Sequence, residues 1–149
     1  MANFLTQGRK ALWEALQEDD QIAARVKTWF EFGAGLQRRY SVEPARCPLL
    51  SLAPAEGESV RTANALTDVA QRLRIEVATD GQDAEPIEEL VALILDRIRQ
   101  SSRTCLGLAG EGLAALEVEG VTWRALPDAS GARLLWTARI VVSLLWKRA

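Results

Sequence analysis

No histidine occurs among the 149 residues of this chain. Without imidazole, the common nucleophile-base pairs lack their base and most zinc sites lack a ligand. Cysteine is nearly absent: Cys47 and Cys105 stand far apart and form no CxxC pair. Such thiols read as small buried hydrophobes in a reducing compartment, not as a disulfide framework. No apolar run reaches the roughly 20 residues of a membrane-spanning helix. The nearest, Leu134 to Trp146, is interrupted by Arg139. The start, MANFLTQGRKALWEAL, lacks the basic region, the long apolar stretch and the small-residue cleavage site of an export signal. Charge of one sign is missing as well: the net charge is −2, and 15 arginines are spread among acids along the chain. A specific nucleic-acid partner is therefore not expected, and neither is a membrane.

What is present is ordinary globular composition, with 48% hydrophobic and 26% charged residues. That suits one folded domain over residues 1–149, large enough to bury a core without metal or disulfides. The clearest stretch is RLRIEVATDGQDAEPIEELVALILDRIRQ, Arg72 to Gln100. Leu73, Ile75 and Val77 alternate with Arg72, Arg74 and Glu76, which predicts a strand with one apolar face and one charged face in water. Asp80-Gly81 supplies a turn, Asp83 or a neighbour a cap, and Pro86 a first helical turn, so a helix should start near Glu85. Ile87, Leu90, Val91, Ile94, Leu95 and Ile98 then share one helical stripe. Burying these side chains, at about 1.5–3 kcal/mol each, makes the helix a main contributor to the core.

Upstream, Asn3 to Gln17 predicts a helix, and Asp19-Asp20 ends it or caps a short turn through Ile22 and Val26. Thr28 to Phe32 predicts a first strand with Phe30 and Phe32 on one face, closed by Gly33 and Gly35. Arg38, Arg39 and Arg46 read as solvated surface. Cys47 to Leu52 predicts a short strand with Pro48 at its beginning. Ala53 to Asn64 has no apolar period and reads as a mobile loop. Ordering a dozen residues would cost on the order of 12–24 kcal/mol, so it is either a tolerated insertion or a segment that orders against a partner. A third strand spans Ala65 to Thr79.

After the main helix, Gly107, Gly110 and Gly112 predict an irregular link with one turn at GLAAL. Leu116 and Val118, then Val121, Trp123 and Ala125, form a strand whose parity slips at Gly120, which predicts a bulge. Pro127 to Gly131 reads as a hairpin connection. The final strand alternates throughout: Leu134, Trp136, Ala138, Ile140, Val142, Leu144 and Trp146 share one face. Its second face carries Leu135, Val141 and Leu145, a patch that monomers usually avoid exposing.

Candidate chemistry is thin. Asp80, Asp83 and Glu85 lack the remaining ligands of a calcium loop. The glycines of the link do not follow the GxGxxG order. Glu85, Glu88 and Glu89 sit where the helix dipole favours acids, and neither thiol has a base beside it. No catalytic residue, cofactor site or metal site is expected. Trp123, Trp136 and Trp146 are expected in the core, and Trp13 and Trp29 at the surface.

The order helix, strand, short strand at CPLLSL, charged loop, LRIEVATDG strand, EPIEELVALI helix and a terminal Trp136 to Trp146 ladder resembles the tail terminator family of tailed phages, the lambdoid minor tail protein type. The resemblance implies an α+β sandwich in the order α-β-β-β-α-β-β. Its sheet would be mostly antiparallel, of about five strands, with the N-terminal and main helices on one face. It further implies a phage or prophage structural protein and no enzyme. Copies would form a ring, a hexamer on the tail, that caps the tail tube protein, stops its polymerisation and offers a docking surface to a head-tail connector protein. The chain would pass from the bacterial host cytoplasm to the virion tail. The 53–64 segment would order on assembly, which makes Glu56, Glu58, Arg61, Trp29, Leu135, Val141 and Leu145 the expected interface. The alternatives are another head-tail joining or tail-completion protein, and a small-molecule-binding or regulatory α/β domain.

Overall fold

The computed structural model describes residues 3–31, 44–63, 68–127 and 133–147. Phe32, Gly33, Gly35, Arg38, Arg39 and the 128–131 part of the expected hairpin connection lie outside them. The elements run α1 (Phe4–Glu18), α2 (Asp20–Arg25), β1 (Thr28–Glu31), β2 (Leu49–Pro54), β3 (Val60–Ala63), β4 (Asp68–Gly81), α3 (Glu85–Arg103), β5 (Leu113–Pro127) and β6 (Leu134–Lys147). The fold is α+β, with six strands in one sheet ordered β1-β2-β4-β6-β5 and β3 paired to the remaining length of β4. All pairings are antiparallel except β1 with β2.

The two-residue period of β4 sets the layers. Leu73, Ile75 and Val77 stand opposite Val142, Ile140 and Ala138 of β6, and Leu52 and Leu50 of β2 continue the same face from Ile75 and Val77. All are buried, and α1, α2 and α3 cover them with Leu12, Leu16, Ile22, Ile87 and Ile94. The indole of Trp146 lies inside this layer, fully buried, with the Phe4 ring edge-on at 5.1 Å. A Cβ on Gly8 would come within 2.7 Å of Trp146 and 2.8 Å of Leu144. Only glycine lets α1 approach the sheet this closely.

Capping follows the sequence at the N-terminus. The Asn3 side chain accepts from the Thr6 N–H at 2.9 Å, and Asp19 accepts from the Gln21 and Ile22 N–H groups to open α2. Helix α3 starts at Glu85, as the sequence predicts, and its N-cap is Ala84, the neighbour of Asp83, with no side-chain cap. Pro86 and the acids Glu85 and Glu88 occupy its first turn instead.

The chain departs from the sequence reading at three places. Residues 53–64 are not a featureless loop, because β2 continues to Pro54 and Val60–Ala63 forms β3 against Asp68 to Gln71. Hydrogen bonds from Ala55 N to Arg72 O and from Arg72 N to Ser59 O hold the intervening turn. Here the backbone ladder, not apolar periodicity, carries the segment. The GLAAL turn is also absent: helix α3 gives way to 3₁₀ turns at Cys105–Gly107 and Ala109–Glu111, and β5 begins at Leu113. Gly107 and Gly112, with φ of 72° and 101°, provide the left-handed bends. The β5 parity slip is where the sequence puts it, as an irregularity between Val118 and Gly120.

The third departure concerns tryptophan. Trp13 is buried to 9% exposure and meets Trp29 edge-on at 5.5 Å, whereas Trp123, expected in the core, is 50% exposed. Strand β5 has 15 residues and α3 has 19. At about 3.4 Å per strand residue against about 1.5 Å per helical residue, the strand outruns its covering helix by roughly 20 Å. Toward the Leu126–Leu135 end of the β5–β6 pair, the first turn of α3, at Ile87 and Glu88, stands beside Trp123 and Ala125, and among the described residues no further helix follows it there.

Candidate assembly surfaces

Among the described residues, two regions of the sheet are not covered by the helices: its second face and its edge strands. On the second face, β4 presents Arg72, Arg74 and Glu76 and β6 presents Leu135, Arg139, Val141 and Leu145. The sequence reads this face as charged and in water, yet the Glu76 side chain is only 7% exposed. Arg139 donates to Glu76 at 2.8 Å through Nε and to Glu56 at 3.2 Å through its guanidinium. Glu56, on the turn before β3, also accepts from Arg74 at 2.7 Å, and Arg72 donates to Glu119 of β5 at 2.7 Å. Opposite charges are thus laced across β4, β6 and β5. Leu135, Val141 and Leu145 lie half-buried between them and do not form one open apolar patch.

The expected interface residues divide accordingly. Glu56 reaches over the second face, with its side chain 70% exposed, beside Arg74 and its neighbour Val141. Glu58 is exposed on the same turn, and its carbonyl accepts from Arg72 at 3.3 Å. Arg61 stands exposed on β3 opposite Ala70, which in turn pairs with Leu145. Leu135 lies at the far end, paired with Leu126. Trp29 does not join them: it is half-buried on β1 and belongs to the helix side.

Sequence reasoning missed the edges. Among the described residues, the large apolar side chains that are exposed are Val60, Val118, Trp123 and Leu126. Val60 is on β3, which pairs with β4 on the side away from β6, and the others are on β5, the terminal strand beyond β6. Strand β5 is exposed from Glu117 to Pro127 except at half-buried Val121. On the helix side, Trp123, Ala125 and Trp136 line a groove of about 380 Å³ with Ile87 and Glu88. The Trp136 indole is fixed there by donating to the Gly81 carbonyl at 3.2 Å. On the second face, Leu126, Leu135, Arg124 and Arg139 border an open concavity of about 530 Å³. The signal for this surface was strand length: the two strands that follow α3 are far longer, end to end, than that helix.

Burial pushes the Cys47 thiol from 9.0 up to about 11, with the nearby Asp80 carboxylate raising it further and Lys27 opposing. It is protonated at neutral pH and a poor nucleophile. Among the described residues no group of three His, Cys, Asp or Glu side chains could hold a metal ion. No described helix is long and apolar enough to cross a membrane.

No protein-family model matches the chain, and no curated protein matches it. It is similar in fold to a chain in a solved structure described as the virion of a native gene transfer agent particle, with a TM-score of 0.59 and 15% sequence identity, covering 96% of this chain and 98% of that one.

Proposed function

We propose that the chain is a structural protein of a phage-like particle, and more narrowly a tail terminator. Its copies would close into a ring on the tail tube, halt tube growth and present a docking surface to the head connector. The observation that carries this reading is that two unlike edge strands, β3 and β5, hold every exposed large apolar side chain among the described residues. A ring repeats one heterologous contact and needs two different patches on each subunit. The end-to-end likeness in fold to a chain of a virion particle supports the same reading, as does the order of elements from CPLLSL to the Trp136–Trp146 ladder. No reaction is assigned to the protein.

Negative-stain electron microscopy over a concentration series tests the proposal. Closed particles of uniform diameter with a central channel are expected. Compact single-chain particles at every concentration up to about 1 mM, the weak end of specific association, would count against a self-assembling ring.

A further inference from the structure

The β3 and β5 edges leave open how the copies meet, and the strand pattern narrows the answer. Strand β3 spans Val60–Ala63, four residues. Register shifts at Leu113/Ala115 and Val118/Gly120 divide β5 into two regular stretches, Ala115 to Val118, which matches β3 in length, and the longer Gly120 to Pro127. Strand β3 is antiparallel to β4, β4 to β6, and β6 to β5, so β3 and β5 run in opposite directions. A neighbour placed beside the first copy in the same orientation therefore sets its β3 antiparallel to this β5.

The side chains fit that arrangement on both faces. Arg61 lies opposite Ala70 and thus on the second face, as does Glu117, which lies opposite Ser143. Val60, opposite Gln71, and Val118, opposite Val142, are both on the helix side. Aligning Arg61 with Glu117 places Val60 against Val118 and Thr62 against Leu116, so each charge meets its opposite and each exposed valine meets the other.

The geometry points to a second copy of this chain as the occupant of the β5 edge: β3 of one subunit adds to β5 of the next, antiparallel, with Arg61 beside Glu117 and Val60 beside Val118. This inference rests on the ring reading above and specifies its joint. Main-chain hydrogen bonds along the two edges supply affinity, and the charge and valine pairs set the register.

Disulfide trapping tests it. Directly opposed residues of an antiparallel pair lie about 4.5–5.5 Å apart at Cα, within the range of about 4.4–6.8 Å that a disulfide spans. In a background with Cys47→Ala and Cys105→Ala, the double variant Arg61→Cys/Glu117→Cys should give a ladder of covalent multimers on mild oxidation. A mixture of the two single variants should stop at dimers. In parallel, Arg61→Glu and Glu117→Arg should each weaken self-association by about tenfold or more, and their combination should restore it. Wild-type rings without a ladder, and without rescue by the double reversal, overturn the β3–β5 joint and leave the ring. A ladder without closed rings keeps the joint and overturns the terminator ring. Absence of both removes both.

Discussion

The indole N–H of Trp146 donates to Gln71 Oε1 at 3.0 Å, and the same amide donates through Nε2 to the Leu5 carbonyl at 2.8 Å. One buried side chain of β4 thereby joins β6 to the first turn of α1. Replacing Gln71 by alanine leaves a buried indole N–H without its acceptor and should cost about 1–3 kcal/mol in urea denaturation. Trp146→Phe removes the donor, so the two substitutions should couple by about 0.5–3 kcal/mol in a double-mutant cycle. Strict additivity would mean that the bridge contributes nothing.

Gly8 separates two effects. Alanine is worth about 1 kcal/mol more than glycine inside a helix, but the new methyl would enter space occupied by Trp146, Leu144 and Gln71 at 2.7–2.8 Å. Overpacking of about 1–3 kcal/mol should win, and the thermal midpoint of Gly8→Ala should fall.

Two acids on the second face, both bonded to Arg139, should respond differently. Glu56 is 70% exposed, and exposed pairs contribute about 0–1 kcal/mol. Glu56→Gln should therefore unfold at nearly the wild-type urea concentration. Glu76 is 7% exposed, and its loss should cost about 1.5–3 kcal/mol, as for hydrogen bonds to charged groups. Charge reversal at Glu56, Glu58 and Arg61 together should leave the far-ultraviolet dichroism unchanged and impair assembly.

Trp123 is predicted to matter between subunits and not within one. Trp123→Ser should change stability by within about 0.5 kcal/mol, while Trp146→Ala should cost about 3–5 kcal/mol. Acrylamide should quench Trp123 in the free subunit and lose that access in assembled particles.

The Cys47 thiol, raised from 9.0 to about 11, gives a pH prediction. The folded protein holds this proton where the unfolded chain has released it, so the contribution to stability is fully present below pH 9 and falls as pH rises toward 11. Alkylation of the native protein at Cys47 should follow a titration with its midpoint near 11. A midpoint near 9.0 would show an unburied thiol.

Where burial was one-sided, the sequence was readable. The alternation of Leu73, Ile75 and Val77, the α3 stripe and the final strand each had an apolar face that the core required, and the Gly120 slip betrayed its bulge. Strand β3 could not be read this way, since Val60, Arg61 and Thr62 are all exposed and only backbone pairing defines it. Trp123 was misplaced because period-two alternation says which side of a sheet a residue faces, not how fully a helix covers it. The ion lattice over β4 joins Glu56 to Arg139, 83 positions apart, a distance at which local spacing carries no information.

Strand β6 lies between β4 and β5 although it follows both in the chain. During synthesis, at about 5–20 residues per second, β4 and β5 therefore both emerge before the strand that separates them. Neither can complete its pairing until β6 has left the ribosome, so a sheet with β5 as its border does not exist on a nascent chain. A subunit competent to join a neighbour through that border already carries β6, and chains that stop short of it are kept out of any assembly that uses it.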